Sequence, residues 1–364
     1  MVQEAGFEGL RVALVGPLAP PAGGMANQTR QLAELLRAAG AQVELVQTNR
    51  PYAPAWAGRL PGVRAAFRLL PYLAALWRGC GHADVVHLMS NSGWAWHLFS
   101  VPAVWIAALR GKPVLVNYRG GEAAGFLARS AAQVRLTMRR AAVLAVPSGF
   151  LQQVFGAHGM PAAVLPNIVD LGRYRPRAER RPLDAHVVVT RNLEPLYDNA
   201  SAIKAFAQLA AGRPGARLTI AGSGPQQAEL EALAAALGVA DRVRFAGRLD
   251  RGEVAALLQD ADLSLNPSLA DNMPNSVLEA LAAGVPVVST QVGGVPFVVE
   301  HERTALLVPP GDAEAMARAM ARLLDDAALW RRLSDDGLAE VQRYTWTAVA
   351  PTLASLYRRA LESR

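Results

Sequence analysis

The sequence predicts an α/β protein made of two Rossmann-like domains. Three observations predict it. Short β-branched and aliphatic runs alternate with amphipathic stretches of helical period, the rhythm of strands joined by helices in a parallel sheet. The length, 364 residues with 52% hydrophobic and 18% charged content, suits two globular cores. The charge is also divided: residues 1–180 carry 19 Arg and Lys against 8 Asp and Glu, and residues 181–364 carry 18 against 22. Two halves of opposite sign within a net charge of +7 point to domains with different partners.

Composition also excludes several classes. The one cysteine, Cys80, allows neither an internal disulfide framework nor a zinc cluster. The first residues, MVQEAGFEGLRVALVG, lack the basic start and apolar run of a secretory signal. The longest apolar segment, Trp94 to Leu109, is broken by His97, Ser100 and Pro102 and falls short of the roughly 20 residues that span a bilayer. A cytoplasmic protein is the expectation.

In chain order, a strand over Leu10–Val15 leads through a loop ending in Gly23-Gly24 to a helix from Met25 to Ala39. This is a strand, glycine-rich loop and helix without the Gly-x-Gly-x-x-Gly dinucleotide spacing. Gly23 and Gly24 either supply amides to a diphosphate or simply form a flexible turn. Further strands are predicted at Gln42–Val46, Asp84–Leu88, Pro113–Asn117, Val143–Val146 and Ala163–Leu165, with helices between them. Arg119 follows a strand and so sits at the ligand edge. Residues 63–79 place Arg64, Arg68 and Arg78 among Phe67, Leu69, Leu70, Leu73, Leu76 and Trp77. Pro71 is expected to break or kink this stretch, giving a short basic amphipathic pair. Residues 171–185 read as a charged, proline-containing linker.

The second half starts with a strand over His186–Thr190 and Arg191 just past its end. Helix Asn199–Ala210, strand Arg217–Ala221, the Gly222-Ser223-Gly224-Pro225 turn, helix Gln226–Leu237, strand Arg242–Phe245 and helix Gly252–Gln259 follow. A lone Gly-x-Gly serves a plain turn as readily as a nucleotide. Asp260-Ala261-Asp262 has the spacing of a metal-binding pair, but it joins a helix to a strand with no further ligand beside it, so no metal is expected. Residues 262–294 then read as strand (Asp262–Leu265), loop, helix (Asn275–Ala283), strand (Val285–Ser289) and a Gly293-Gly294 turn. The amides of Asn275, Ser276 and Val277 open that helix, and with its dipole they make an anion site. Asp271 lies in the loop and Glu279 eight residues on. Ser276 and Glu279 also have the spacing of a capping box, which would give Glu279 a purely local role. The tail from Trp346 to Leu361 has apolar residues at helical spacing.

The stretch Asp271, seven residues, Glu279-Ala280-Leu281-Ala282-Ala283-Gly284-Val285-Pro286-Val287-Val288 resembles the donor-site signature of retaining, family 4 type glycosyltransferases of the GT-B fold. That family usually has Glu at the first position, where this chain has Asp271. The resemblance covers essentially residues 10–360 and implies two Rossmann-like domains facing a cleft, with the last helix crossing back to the first domain. It places an acceptor domain at 1–175, a nucleotide-sugar donor domain at 176–345 and the crossover helix at 346–364. It also implies metal-independent transfer of a sugar from a UDP- or GDP-linked donor to a hydroxyl of a glycan or lipid-linked acceptor. The nucleotide-sugar is then a co-substrate and no cofactor is needed.

Residue by residue, Arg191, Asp271 and Glu279 would carry catalysis. Gly23, Gly24, Arg119, Asn199, Gly222, Asn272, Met273, Asn275, Ser276 and Val277 would line the donor. Two family features are missing: Leu196 stands where relatives have a phosphate lysine, and Arg119 where many have histidine. Asn167 and Asp170 are expected to tie the crossover together. An anionic membrane surface is a further expected partner and nucleic acid is not. An epimerase of the same fold, or a non-catalytic nucleotide-sugar binder, remain the alternatives.

Overall fold

The computed structural model describes residues 6–20, 23–52, 56, 64–176, 181 and 184–363. Parts of the expected linker (177–180, 182 and 183), Val63 and the Arg64 side chain lie outside them. The chain divides into two compact units, residues 1–168 with 346–364, and residues 169–345.

The first unit carries β1 (Arg11–Gly16), α1 (Gly24–Ala38), β2 (Gln42–Gln47), α2 (Arg64–His82), β3 (Val85–Ser90), α3 (Val101–Leu109), β4 (Val114–Tyr118), α4 (Ala123–Met138), β5 (Val143–Val146), α5 (Gly149–Ala157) and β6 (Ala163–Val164). All six strands pair in parallel in the order β2-β1-β3-β4-β5-β6. Strands β3, β4 and β5 are buried on both faces, as a sheet covered by helices on each side requires. One core holds Tyr72, Leu76 and Cys80 of α2 with Val104 of α3 and Phe126 of α4. The other face packs on Leu32 and Leu36 of α1 and on Leu353, Leu356 and Tyr357 of the C-terminal helix.

Pro71 does not split its segment. α2 is one 19-residue helix with Pro71 inside it. Proline removes one N–H and crowds the preceding turn, but Pro71 is exposed, where water can satisfy the freed carbonyl of Phe67.

The second unit carries β7 (His186–Val189), α6 (Asn199–Ala211), β8 (Arg217–Ala221), α7 (Gln227–Ala236), β9 (Val243–Gly247), α8 (Arg251–Gln259), β10 (Leu263–Asn266), α9 (Asn275–Ala282), β11 (Val287–Thr290), β12 (Leu306–Val308), α10 (Ala313–Asp325) and α11 (Ala327–Glu340). Its sheet is parallel in the order β12-β11-β10-β7-β8-β9. The chain runs outward from β7 to β9, then returns to the other side of β7 at β10. The order therefore reverses between β7 and β10, and ligands of open α/β sheets bind beyond the carboxyl ends of strands at such a switch. The final helix, α12 (Trp346–Glu362), belongs to the first unit. Phe7 stacks on its Trp346 with ring centroids 5.6 Å apart.

Candidate active site

The switch between β7 and β10 gathers a polar ladder. Arg191, two residues past β7, donates from Nε to the Asn266 side chain at the end of β10, 2.8 Å away. Asn266 in turn donates from Nδ2 to Ser289 Oγ on β11 at 2.9 Å, and its oxygen also accepts from Ser268 at 2.9 Å. The terminal nitrogen of Arg191 pairs with the Asp271 carboxylate, and the guanidinium carbon lies 5.0 Å from the Tyr197 ring centroid. Both charged side chains are largely buried, at 11% and 13% exposure.

Three loops meet there and hold one another through the backbone. Leu269 N–H donates to the Leu196 carbonyl at 2.8 Å, and Gly294 N–H to the Asp271 carbonyl at 2.8 Å. Thr290 Oγ1 donates to the Ser268 carbonyl at 2.6 Å. Gly222 and Gly224 complete the support. A Cβ on Gly222 would stand 2.0 Å from the Arg191 carbonyl oxygen, and one on Gly224 2.3 Å from that of Leu193. The Gly-x-Gly turn is thus a seat for the Arg191 loop.

Helix α9 aims its N-terminus at the same edge. Pro274 is its N-cap and makes no side-chain cap. The capping box between Ser276 and Glu279 does not form, because the helix begins before Ser276 and leaves that residue inside its first turn. The Ser276 hydroxyl is instead buried without a hydrogen-bond partner among the described residues. A buried, unpaired hydroxyl costs free energy unless something fills it, and here it lies in the positive end of a helix dipole. Val277 departs from expectation: its N–H donates to the Pro274 carbonyl at 3.2 Å, which closes the first turn, and its side chain is core. Asn272 and Met273 are buried and Asn275 is half-buried.

Glu279, half-buried one turn further on, makes no side-chain hydrogen bond to a described residue. Burial pushes its carboxyl up to about 7, against the pull of Arg251 and Arg191. Burial likewise pushes the Asp271 carboxyl up, opposed by Arg191 and by the Asn272 N–H, which donates to it at 3.0 Å. A buried acid that titrates near neutral pH beside a cation is a mark of a functional site.

Other expected site residues have different surroundings. Asn199 is fully buried and donates to the Asn192 carbonyl at 2.9 Å, so it braces the Arg191 loop instead of facing a phosphate. Asp260 and Asp262 are engaged by Arg181, Arg217 and His186. Asp262 also accepts from the His186 N–H at 2.8 Å, a clamp at the amino edge of the sheet, away from the switch.

In the first unit, Gly23 is the extended N-cap of α1, and open space surrounds the position of its missing Cβ; Gly24 opens that helix. Arg119 donates to the side-chain oxygens of Asn117, at 3.2 Å, and Asn167. Asn117 Nδ2 lies 3.0 Å from His87 Nε2, and His87 Nδ1 lies 2.8 Å from the Tyr357 hydroxyl. Since the Asn117 oxygen is taken by Arg119, its amide must donate to Nε2, and Nδ1–H donates to Tyr357. Burial holds His87 neutral, pushing it down to about 3. Arg119 thus ends a buried chain that reaches α12. Asn167 anchors this chain, while Asp170 caps a short turn by accepting from Gly172 N–H at 3.2 Å.

Two six-stranded parallel sheets, each with a doubly wound switch, and a cluster of basic and acidic side chains at the second switch define a protein of two Rossmann-like domains with a candidate ligand site in the second. Residues 186–326 match the family described as Glycosyl transferases group 1, and residues 23–167 match the Glycosyl transferase 4-like domain. The chain belongs to this family. It is 28% identical to a D-inositol 3-phosphate glycosyltransferase of Segniliparus rotundus, over 93% of this chain and 85% of that one. It is 30% identical to a D-inositol 3-phosphate glycosyltransferase of Streptomyces scabiei, over 77% and 69%. The solved sucrose-phosphate synthase of Thermosynechococcus elongatus superposes with a TM-score of 0.77 at 24% identity, over 98% of this chain and all of that one. HepE of Anabaena, in complex with UDP-glucose, gives 0.71 at 17% identity over 94% and 98%.

Proposed function

We propose that the site at the β7/β10 switch binds the nucleotide-sugar donor and that transfer proceeds with retention at the anomeric carbon and without metal. Arg191 and the amino end of α9 meet the charge of the leaving diphosphate, the electrostatic term that usually dominates such chemistry. Glu279 accepts from ribose hydroxyls and Asp271 from sugar hydroxyls. The observation that carries this reading is the buried Ser276 hydroxyl at the head of α9, without a partner among the described residues, in the unit whose β7/β10 switch also holds Arg191. The donor is a UDP- or GDP-sugar, in keeping with the UDP-glucose that HepE binds. The acceptor is a hydroxyl of a glycan or lipid-linked glycan. A thermal-shift panel of UDP-, GDP- and ADP-sugars tests the donor: a ligand at 100 times its Kd stabilises by about 2.7 kcal/mol. No shift with any of them contradicts the reading.

An anionic membrane surface is the second proposed partner. Helices α2, α3, α4 and α5 contain no acidic residue. On them Leu70, Trp77, Leu109 and Leu136 are exposed, as is Trp94 just before α3. Arg110 stacks on Trp77 at 4.7 Å, so charge and aromatic surface coincide, which suits the boundary between headgroups and acyl chains. Among the described residues no helix is long and apolar enough to cross a membrane. Co-sedimentation with anionic vesicles at low salt, lost at high salt and with neutral vesicles, is expected. Binding absent from anionic vesicles, or indifferent to salt, excludes this partner.

A further inference from the structure

We propose that Tyr197 is a positioning residue for Arg191: its ring face fixes the guanidinium plane so that the N–H edge stays turned to the diphosphate. The inference rests on the reading of Arg191 as the cation that meets that diphosphate.

Arg191 is held along its edge and on its face by different means. The edge is engaged by Asn266 and Asp271 through N–H donors. Those two contacts use two of the five guanidinium N–H donors, and an incoming diphosphate takes others on the same edge. Its charge competes with Asp271 for the guanidinium, so the edge contacts alone leave the side chain's orientation dependent on the ligand. The Tyr197 ring, 5.0 Å from the guanidinium carbon, uses the π face and competes for no N–H. It holds the guanidinium plane whether or not a ligand occupies the edge.

The main chain around Tyr197 is built to keep the ring in place. Tyr197 closes a short 3-10 turn, Pro195–Tyr197. The next residue, Asp198, takes a left-handed conformation with φ of 41°, costly for most residues and tolerated by Asp. Its carboxylate accepts from Ser201 N–H at 3.3 Å and caps α6. The Leu196 carbonyl is held by Leu269 N–H at 2.8 Å, and the Asn192 carbonyl by Asn199 at 2.9 Å. The turn is therefore pinned both to α6 and to the loop that carries Asp271.

The test is a double-mutant cycle read by calorimetric titration of UDP, GDP or ADP, whichever raises the wild-type Tm. Tyr197→Phe keeps the ring face and should bind within twofold of wild type. Tyr197→Leu removes it and should bind roughly tenfold more weakly. In the Arg191→Ala background, Tyr197→Leu should change affinity by less than about twofold, because its effect passes through Arg191. Full additivity of the two changes, or wild-type affinity in Tyr197→Leu, overturns the inference. Wild-type affinity in Arg191→Ala alone overturns the donor-site reading itself. If Tyr197→Leu does not fold, 3,4,5-trifluorophenylalanine at position 197 keeps the shape and weakens the negative face. Binding severalfold weaker than Tyr197→Phe is then expected, and equal binding overturns the inference.

Discussion

Replacing Glu279 by Gln should make the unliganded protein more stable and a worse binder of its donor, and both effects should depend on pH. Burial raises the Glu279 carboxyl from 4.5 to about 7 in the folded protein. Between those values the folded state keeps a proton that the unfolded state has released. Stability therefore falls as pH rises through this window. A shift of this size corresponds to at most about 3 kcal/mol, fully felt above pH 7. Glu279→Gln removes the ionisation, so its Tm should exceed that of wild type at pH 8 and match it at pH 4. Donor binding runs the other way. Hydroxyls donate better to a carboxylate than to an amide, a difference of about 0.5–2 kcal/mol, so the Kd of the variant should rise roughly 2- to 30-fold at pH 8. Wild-type affinity should strengthen from pH 6 to pH 8, while that of the variant stays flat. Calorimetric titration and thermal melts at the three pH values read both effects. An unchanged Kd at pH 8, or a variant less stable than wild type there, refutes the role assigned to Glu279.

Arg191→Lys should lower kcat more than it raises the donor KM, because an ammonium cannot make the two-pronged contact of a guanidinium and leaving-group charge grows in the transition state; steady-state kinetics with the donor found by thermal shift decides it. Gly222→Ala forces a methyl group within 2.0 Å of the Arg191 carbonyl and should cost about 1–3 kcal/mol in urea unfolding, with nucleoside diphosphate affinity lowered as the loop shifts. Tyr357→Phe removes the acceptor of the buried His87 Nδ1–H and should destabilise the protein by about 1–3 kcal/mol; an unchanged unfolding midpoint would show that the chain from α12 to Arg119 contributes nothing.

The sheet framework was legible because buried parallel strands are nearly uninterrupted apolar runs. Strands β5 and β8 fall on their predicted residues, and most others within one or two positions. α11 was not read from the sequence, although Asp326 caps it through Ala328 and Leu329. Its role is tertiary: Trp330 Nε1 donates to the Asp262 carbonyl at 2.7 Å, a pairing no local pattern announces. Pro71 leaves α2 unbroken because proline's penalty depends on whether the orphaned carbonyl reaches water, and that is set by which face of α2 is exposed.

At the candidate site, Arg191, Asp271, Glu279 and Ser276 were legible through position relative to strands and through resemblance. Asn266 and Ser289 were not, since a polar residue at the end of a strand signals nothing until the neighbouring strand is known. The same holds for Tyr197, whose ring meets Arg191 only through the turn that ends in the left-handed Asp198. Gly222 admits a close backbone, and the backbone that approaches it is the protein's own, at the Arg191 carbonyl.

The proposed donor position is the β7/β10 switch, with the diphosphate between Arg191 and the amino end of α9. A crystal structure of the protein with UDP, or with GDP if only that raises the Tm, tests it most directly. Diphosphate oxygens are expected within hydrogen-bonding distance of the Arg191 guanidinium and the Ser276 hydroxyl, with the ribose against Glu279. A nucleotide bound elsewhere, away from the Arg191 guanidinium and with the Ser276 hydroxyl still unpartnered, would contradict it.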